Sequence, residues 1–190
     1  MKRIVATFIG VMALVAAGPL TAAQASDLPK PSKVKQVLIT LSEAAAATGY
    51  AGALSPDFKG TCTKDRKTTW CGRTFVGDLP DVAYPAGSTI TVAKHRSFAK
   101  KVYSAALQHP DDGWQILSSE GASFVEYTAS STSSKRPVVV ISLRQGSTLV
   151  QAACSATTTG IDPAALLSCA RAEMRAQLAT IENMKQNLQG

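Results

Sequence analysis

Residues 138–154, VVVISLRQGSTLVQAAC, decide the fold class. Val138–Leu143 is a β-branched run that is wholly apolar as far as Ile141, as a strand buried on both faces would be. Gln145-Gly146 breaks it, and Thr148–Ala153 resumes an extended pattern ending at Cys154. Two strands this close in sequence can only be a hairpin, because a parallel crossover needs a dozen or more residues. Working back, Ala122–Ala129 and Trp114–Ser118 read as two more strands, with a turn at Gly121. The polar tract Ser130–Ser134, with Lys135 and Arg136 beyond it, reads as a hairpin tip. The segment is therefore an antiparallel meander.

Helical patterns flank the meander. After it, Asp162 is an N-cap candidate and Pro163 suits the first helical position, where its missing N–H costs nothing. Leu166, Ala170, Met174, Leu178, Ile181 and Leu188 then line one face of a long C-terminal helix. Before the meander, Ser97–Gln108 reads as a central helix, with Phe98, Val102, Ala106 and Leu107 as its apolar stripe and Pro110 as its stop. An N-terminal helix is expected from Ser32, through Val34, Val37, Leu38, Leu41 and Ala45, to a left-handed end at Gly49. Between these helices lie a hairpin (Gly60–Cys62 and Thr69–Val76), a Gly/Pro/Asp-rich loop at 77–85 and a strand at Ser88–Ala93. The expected fold is α+β: a two-layer sandwich of an antiparallel sheet of about four to six strands and three helices.

The first residues have a different character. Lys2 and Arg3 precede an apolar run from Ile4 to Val15, and Ala23-Gln24-Ala25 follows as a small-x-small cleavage pattern. Residues 1–25 are expected to be a cleaved secretory signal, with 26–190 as one disulfide-bonded domain outside the cytoplasm, periplasmic or secreted. The apolar run is too short to span a bilayer, and nothing else in the chain approaches that length, so no stable membrane insertion is expected after cleavage. The formal net charge of +7 falls by two when Lys2 and Arg3 leave with the signal. A mildly basic protein is soluble and drawn to anionic surfaces, but it lacks the dense cationic stripe of a nucleic-acid binder.

All four cysteines, Cys62, Cys71, Cys154 and Cys169, lie in the domain. An even count in an exported chain favours two disulfides. Three connectivities are possible, and Cys62–Cys71 with Cys154–Cys169 pairs the cysteines nearest in sequence. The C-x8-C and C-x14-C spacings do not match the ligand pairs of structural zinc. No metal or cofactor is expected.

Catalytic patterns are sparse. His95 lies between Lys94 and Arg96 at a strand end, and His109 precedes Pro110 at a helix end. Neither adjoins a nucleophile elbow, a zincin pair or a phosphate-binding lysine motif. Asp111 and Asp112 sit in a turn, and Asp78 and Asp81 lack the spacing of a calcium loop. Glu120 and Glu126 could face each other across a hairpin as paired carboxylates. With His95 they define the alternative reading, a small secreted hydrolase.

The leading reading is non-enzymatic. The stretch CTKDRKTTWC, Cys62–Cys71, would present Lys64, Arg66 and Lys67 on a cross-linked tip, with Trp70 at its base and Arg73 just beyond. A pre-ordered loop loses little entropy on binding, and Trp and Arg are favoured interface anchors. These five residues point to docking of a partner protein or an anionic envelope component. A sensor or adhesin for anionic surface polymers is the third reading.

Overall fold

The computed structural model describes residues 31–49, 53–54, 61–65, 68–76, 83–93, 97, 100–101, 103–104, 115–120, 123–128, 137–156 and 162–189. The fold is α+β. A 3-10 helix (Pro31–Val37) leads into α1 (Leu41–Thr48). The strands are β1 (Ala53–Leu54), β2 (Thr61–Lys64), β3 (Thr68–Arg73), β4 (Phe75–Val76), β5 (Ala83–Ala93), β6 (Gln115–Glu120), β7 (Ser123–Thr128), β8 (Val138–Gln145) and β9 (Thr148–Ala156). The long C-terminal helix, α2, is Pro163–Gln189. The proposed signal segment lies outside the described residues.

β1 and β4 pair with each other, and the other seven strands form one sheet in the order β2-β3-β5-β9-β8-β7-β6. Every pairing is antiparallel. The sheet exceeds the expected four to six strands because the stapled hairpin joins it: β3 pairs along β5 from Thr68↔Ala93 to Arg73↔Ser88. β5 also begins at Ala83, inside the stretch expected to be a loop. Pro85 is tolerated there because the register shifts between Pro85 and Gly87, and β3 pairs with β5 only from Ser88 onward. A bulge beside a one-sided stretch is where a strand can hold a residue with no N–H. The β8–β9 hairpin turns at Gly146-Ser147, and Gly146 has φ 55, a conformation that glycine adopts without strain.

Strand alternation builds the core. Val139, Ile141 and Leu143 of β8 and Val150, Ala152, Cys154 and Ala156 of β9 are buried with Leu166, Ala170, Met174, Leu178 and Ile181 of α2. That apolar stripe is the one read from the sequence, apart from Leu188, whose side chain is outside the described residues. Asp162 Oδ1 accepts the Ala164 N–H at 2.9 Å, so the N-cap forms as expected. Each buried Leu, Ile or Met of the stripe contributes about 1.5–3 kcal/mol. The Cys154–Cys169 disulfide ties β9 to the first turns of this helix.

Two local expectations change. The N-terminal helix does not run unbroken from Ser32: the chain leaves the 3-10 helix at Val37 and restarts at Leu41. The restart is a capping box, in which Thr40 Oγ1 accepts the Glu43 N–H at 3.3 Å and Glu43 Oε2 accepts the Thr40 N–H at 2.6 Å. This T-x-x-E signature is in the sequence and marks a helix start. Gly49 ends α1 with φ 70, the left-handed cap expected of it. The second change concerns layering. Ser97, Lys100, Lys101, Tyr103 and Ser104 are helical. The Tyr103 ring lies 5.4 Å from the Arg144 guanidinium carbon. Arg144 follows Leu143, which faces α2, so period two sends Arg144 to the opposite face. Tyr103, a helical residue, thus lies beside the face opposite α2, where the two-layer expectation had the helices on one face.

Candidate functional site

The sequence singled out the hairpin of β2 and β3. Its strands are held in register from Thr61↔Gly72 to Lys64↔Thr69, with Cys62 directly opposite Cys71. The two are disulfide-bonded, with Cα atoms 4.1 Å apart. Asp65 closes the turn: its N–H donates to Thr68 O at 3.0 Å, and its carboxylate accepts the Thr68 N–H at 2.5 Å and the Thr68 hydroxyl at 2.7 Å. Aspartate at a turn start is favoured for this reason, since its side chain satisfies the backbone locally. β2 is an edge strand, so the hairpin stands at the rim of the sheet.

The five sequence-selected residues do not share one surface. Cys71 is buried against the core, so Trp70 points to the other face, where it is 37% exposed. Its register partner is Thr63. Lys64, opposite Thr69, lies on the Cys71 side and is exposed. Arg66 and Lys67 lie outside the described residues. Arg73 is half-buried and turned inward: its Nη1 donates to Ile39 O at 2.7 Å and Leu38 O at 3.5 Å. A guanidinium engaged with two carbonyls braces the base of the hairpin against the segment between the 3-10 helix and α1.

That segment is held from a second direction. Gln177 of α2 is fully buried; its Oε1 accepts the Ile39 N–H at 3.2 Å and its Nε2 donates to Val37 O. The side-chain amide pairs with the backbone as a neighbouring peptide would, and supplies partners that the helix break removes. One turn earlier on α2, Glu173 is fully buried. Neither of its carboxylate oxygens has a hydrogen-bond partner. Burial raises its pKa from 4.5 to about 8, so it is protonated at neutral pH. Neither residue was picked out from the sequence. Their positions were nevertheless legible, because 170, 173, 177 and 181 follow the spacing of the buried stripe.

The paired-carboxylate idea does not survive the register. Glu120 is opposite Ser123 at the β6–β7 turn, and Glu126 is opposite Ile116 at the far end of the ladder. Cross-strand carboxylates would have to be register neighbours to meet. His95, His109, Asp78, Asp81, Asp111, Asp112 and Trp114 are outside the described residues. Both disulfides form as the shorter-range pairing had them, and no described cysteine is free. Among the described residues, no group of three or more His, Cys, Asp or Glu side chains is placed to hold a metal. No helix there is long and apolar enough to cross a membrane.

Fold and hairpin together define a disulfide-bonded α+β protein with a cross-linked edge ribbon. No protein-family model matches the chain, and no curated protein matches it. Among solved structures, it is similar to the extracellular domain of PknH from Mycobacterium tuberculosis, with a TM-score of 0.48 and 10% sequence identity. That likeness covers 80% of this chain and 98% of the other. A likeness at this level sets neither activity nor partner.

Proposed function

We propose that this is an exported, non-enzymatic binding protein that docks a partner protein or an envelope component through the β2–β3 hairpin. The observation that carries the reading is Trp70, 37% exposed on a ribbon tied by Cys62–Cys71. A large aromatic held in solvent on a cross-linked strand keeps its apolar area available for burial, and little entropy remains to be lost when it docks. In this reading Trp70 is the anchor on one face of the ribbon. Lys64 is an exposed cation on the other face, and Arg66 and Lys67 are the cations that the sequence sets between the two strands, so the partner would grip the rim of the sheet. Arg73 contributes by holding the ribbon's base. Export rests on the N-terminal signal pattern and on two disulfides, which persist in oxidising compartments. The single domain spans residues 26–190, and β2 is the edge strand of the sheet, which puts the ribbon at its rim.

The test is cross-linking of the tagged mature chain in its native envelope fraction, comparing wild type with Trp70→Ala and with the triple change Lys64→Ala, Arg66→Ala, Lys67→Ala. Both variants should lose the specific cross-linked product while keeping the wild-type melting temperature. Undiminished cross-linking by both rejects the hairpin as the contact. Capture that collapses with modest salt in wild type, and is indifferent to Trp70, identifies an adhesin for anionic polymers instead.

A further inference from the structure

β2 is an edge of the seven-stranded sheet, and among the described residues no strand pairs with its outer side. Cys62, Thr63, Lys64 and Asp65 are all exposed. The ladder fixes which of their peptide groups face outward. In an antiparallel pair, residues alternate between bonded pairs, which exchange N–H···O bonds, and non-bonded pairs, whose bonding groups point the other way. Asp65 N–H donates to Thr68 O at 3.0 Å, so that pair is a bonded one. Counting back along the register, Thr63↔Trp70 and Thr61↔Gly72 are bonded, and Lys64↔Thr69 and Cys62↔Cys71 are not. The Cys62–Cys71 Cα separation of 4.1 Å agrees. Non-bonded pairs approach to about 4.5 Å and bonded pairs to about 5.5 Å. The N–H and C=O groups of Cys62 and Lys64 therefore point away from β3, into the open rim.

Outward ladder groups on an exposed strand are a template for another strand. The Cys62–Cys71 bond and the hold of Arg73 on the Leu38 and Ile39 carbonyls keep this template in shape. Different side chains flank it on its two faces. Lys64 is exposed on the Cys71 face, and among the described residues it holds no ion pair; the one found there is Lys185–Glu182 on α2. Arg66 and Lys67 follow it in sequence, whereas the Asp65 carboxylate is taken up by Thr68. On the other face, Trp70 stands exposed one strand in, behind Thr63. A residue opposite Thr63 on an added strand lies two strand spacings, about 10 Å, from the Trp70 backbone, which an indole and an apolar side chain span together. A second copy would bring an equally cationic rim to this one, so charge selects an acidic partner.

We propose that β2 is a strand-addition site: an extended acidic segment of the partner protein continues the sheet antiparallel to β2, bonded to the backbone of Cys62 and Lys64, with a carboxylate opposite Lys64 and an apolar side chain opposite Thr63 against Trp70. Main-chain bonds supply the affinity of such a site, and alternate side chains select the segment. The inference rests on the docking role proposed for the ribbon and names the chemistry of its partner.

The experiment is an NMR titration of the mature protein, followed by its backbone amides at constant ionic strength. The probe is a short peptide, blocked at both ends, in which glutamate and valine alternate. One control peptide has lysine for glutamate, and another carries N-methyl groups on its glutamates. In the free protein the Thr63 amide should exchange slowly with solvent, and the Cys62 and Lys64 amides fast. The acidic peptide should shift the Cys62 and Lys64 amides saturably and slow their exchange. The lysine peptide should do neither, and nor should the N-methylated peptide, which keeps the charge and loses the donors that face β2. Lys64→Glu should bind the acidic peptide about fivefold more weakly. The inference is overturned if the acidic peptide leaves those amides unmoved, if the N-methylated peptide or Lys64→Glu binds as tightly, or if Cys62 and Lys64 are protected in the free protein and Thr63 is not. A shift of the same amides on raising the protein concentration alone makes a second copy the occupant and overturns the acidic assignment. Loss of cross-linking in Trp70→Ala with no response to the acidic peptide rejects strand addition and keeps the ribbon as the docking site. Undiminished cross-linking by the hairpin variants rejects the docking role itself.

Discussion

Replacing Glu173 with glutamine should stabilise this protein at neutral pH and leave it unchanged in acid. Glu173 is buried in α2 with both oxygens unpartnered, and its pKa is raised to about 8 from an ordinary 4.5. The unfolded chain releases this proton near the ordinary value, while the folded chain keeps it until about pH 8. Between those limits unfolding releases a proton, so rising pH favours the unfolded state by about 1.4 kcal/mol per unit. The contribution is intact below the unfolded pKa, declines as pH rises, and is lost once pH passes the folded pKa. At pH 7 about 2.5 units of this window have been crossed, a cost of about 3 kcal/mol. Glutamine copies the shape and polarity of the neutral acid but does not titrate. Glu173→Gln should therefore match wild type near pH 4 and exceed it by about 3 kcal/mol at pH 7. Urea unfolding measures this directly: with a slope of about 2 kcal/mol per molar, the midpoint of the variant should lie about 1.5 M higher at pH 7. A difference between variant and wild type that is the same at both pH values would show that Glu173 is already ionised in the folded protein, and the reasoning would fail.

Gln177→Ala should destabilise by about 2–4 kcal/mol, because it leaves the buried Ile39 N–H and Val37 O without partners. Hydrogen exchange should show the Ile39 amide losing protection while the β8–β9 amides keep theirs. Equal loss in both places would mean that Gln177 supports the whole core, not this one segment. Removing the Cys154–Cys169 bond with a double Cys→Ala change frees a closure of 15 residues and should cost about 3 kcal/mol in urea unfolding. A change near zero would mean that the unfolded chain already keeps these two segments close without the bond.

The antiparallel meander, the C-terminal helix and its apolar stripe were readable because each is a local periodic pattern. Val139, Ile141 and Leu143 alternate, and Leu166, Ala170, Met174, Leu178 and Ile181 recur each turn. The cysteine pairing was readable because both bonds join residues close in the chain. Other features depend on contacts between elements far apart in sequence. Arg73 looked like a binding cation until its reach to Ile39 O, 34 residues earlier, placed it inside. Glu120 and Glu126 looked paired until a register set by neighbouring strands separated them. The restart of the helix at Thr40 belongs to neither group, since its capping box was written in the residues and was outweighed by an apolar spacing that continued across it.

Residue order alone determined the β8–β9 hairpin, the C-terminal helix with its apolar stripe, and which sulfurs meet, because those outcomes depend on periodicities and contacts spanning a few residues. Only the tertiary structure decided that Glu173 and Gln177 stand inside the core, that Tyr103 lies beside the Arg144 guanidinium, and that Arg73 reaches the backbone of Leu38 and Ile39. Burial and charge pairing are properties of what surrounds a side chain, and those surroundings are assembled from strands and helices that the linear order keeps far apart.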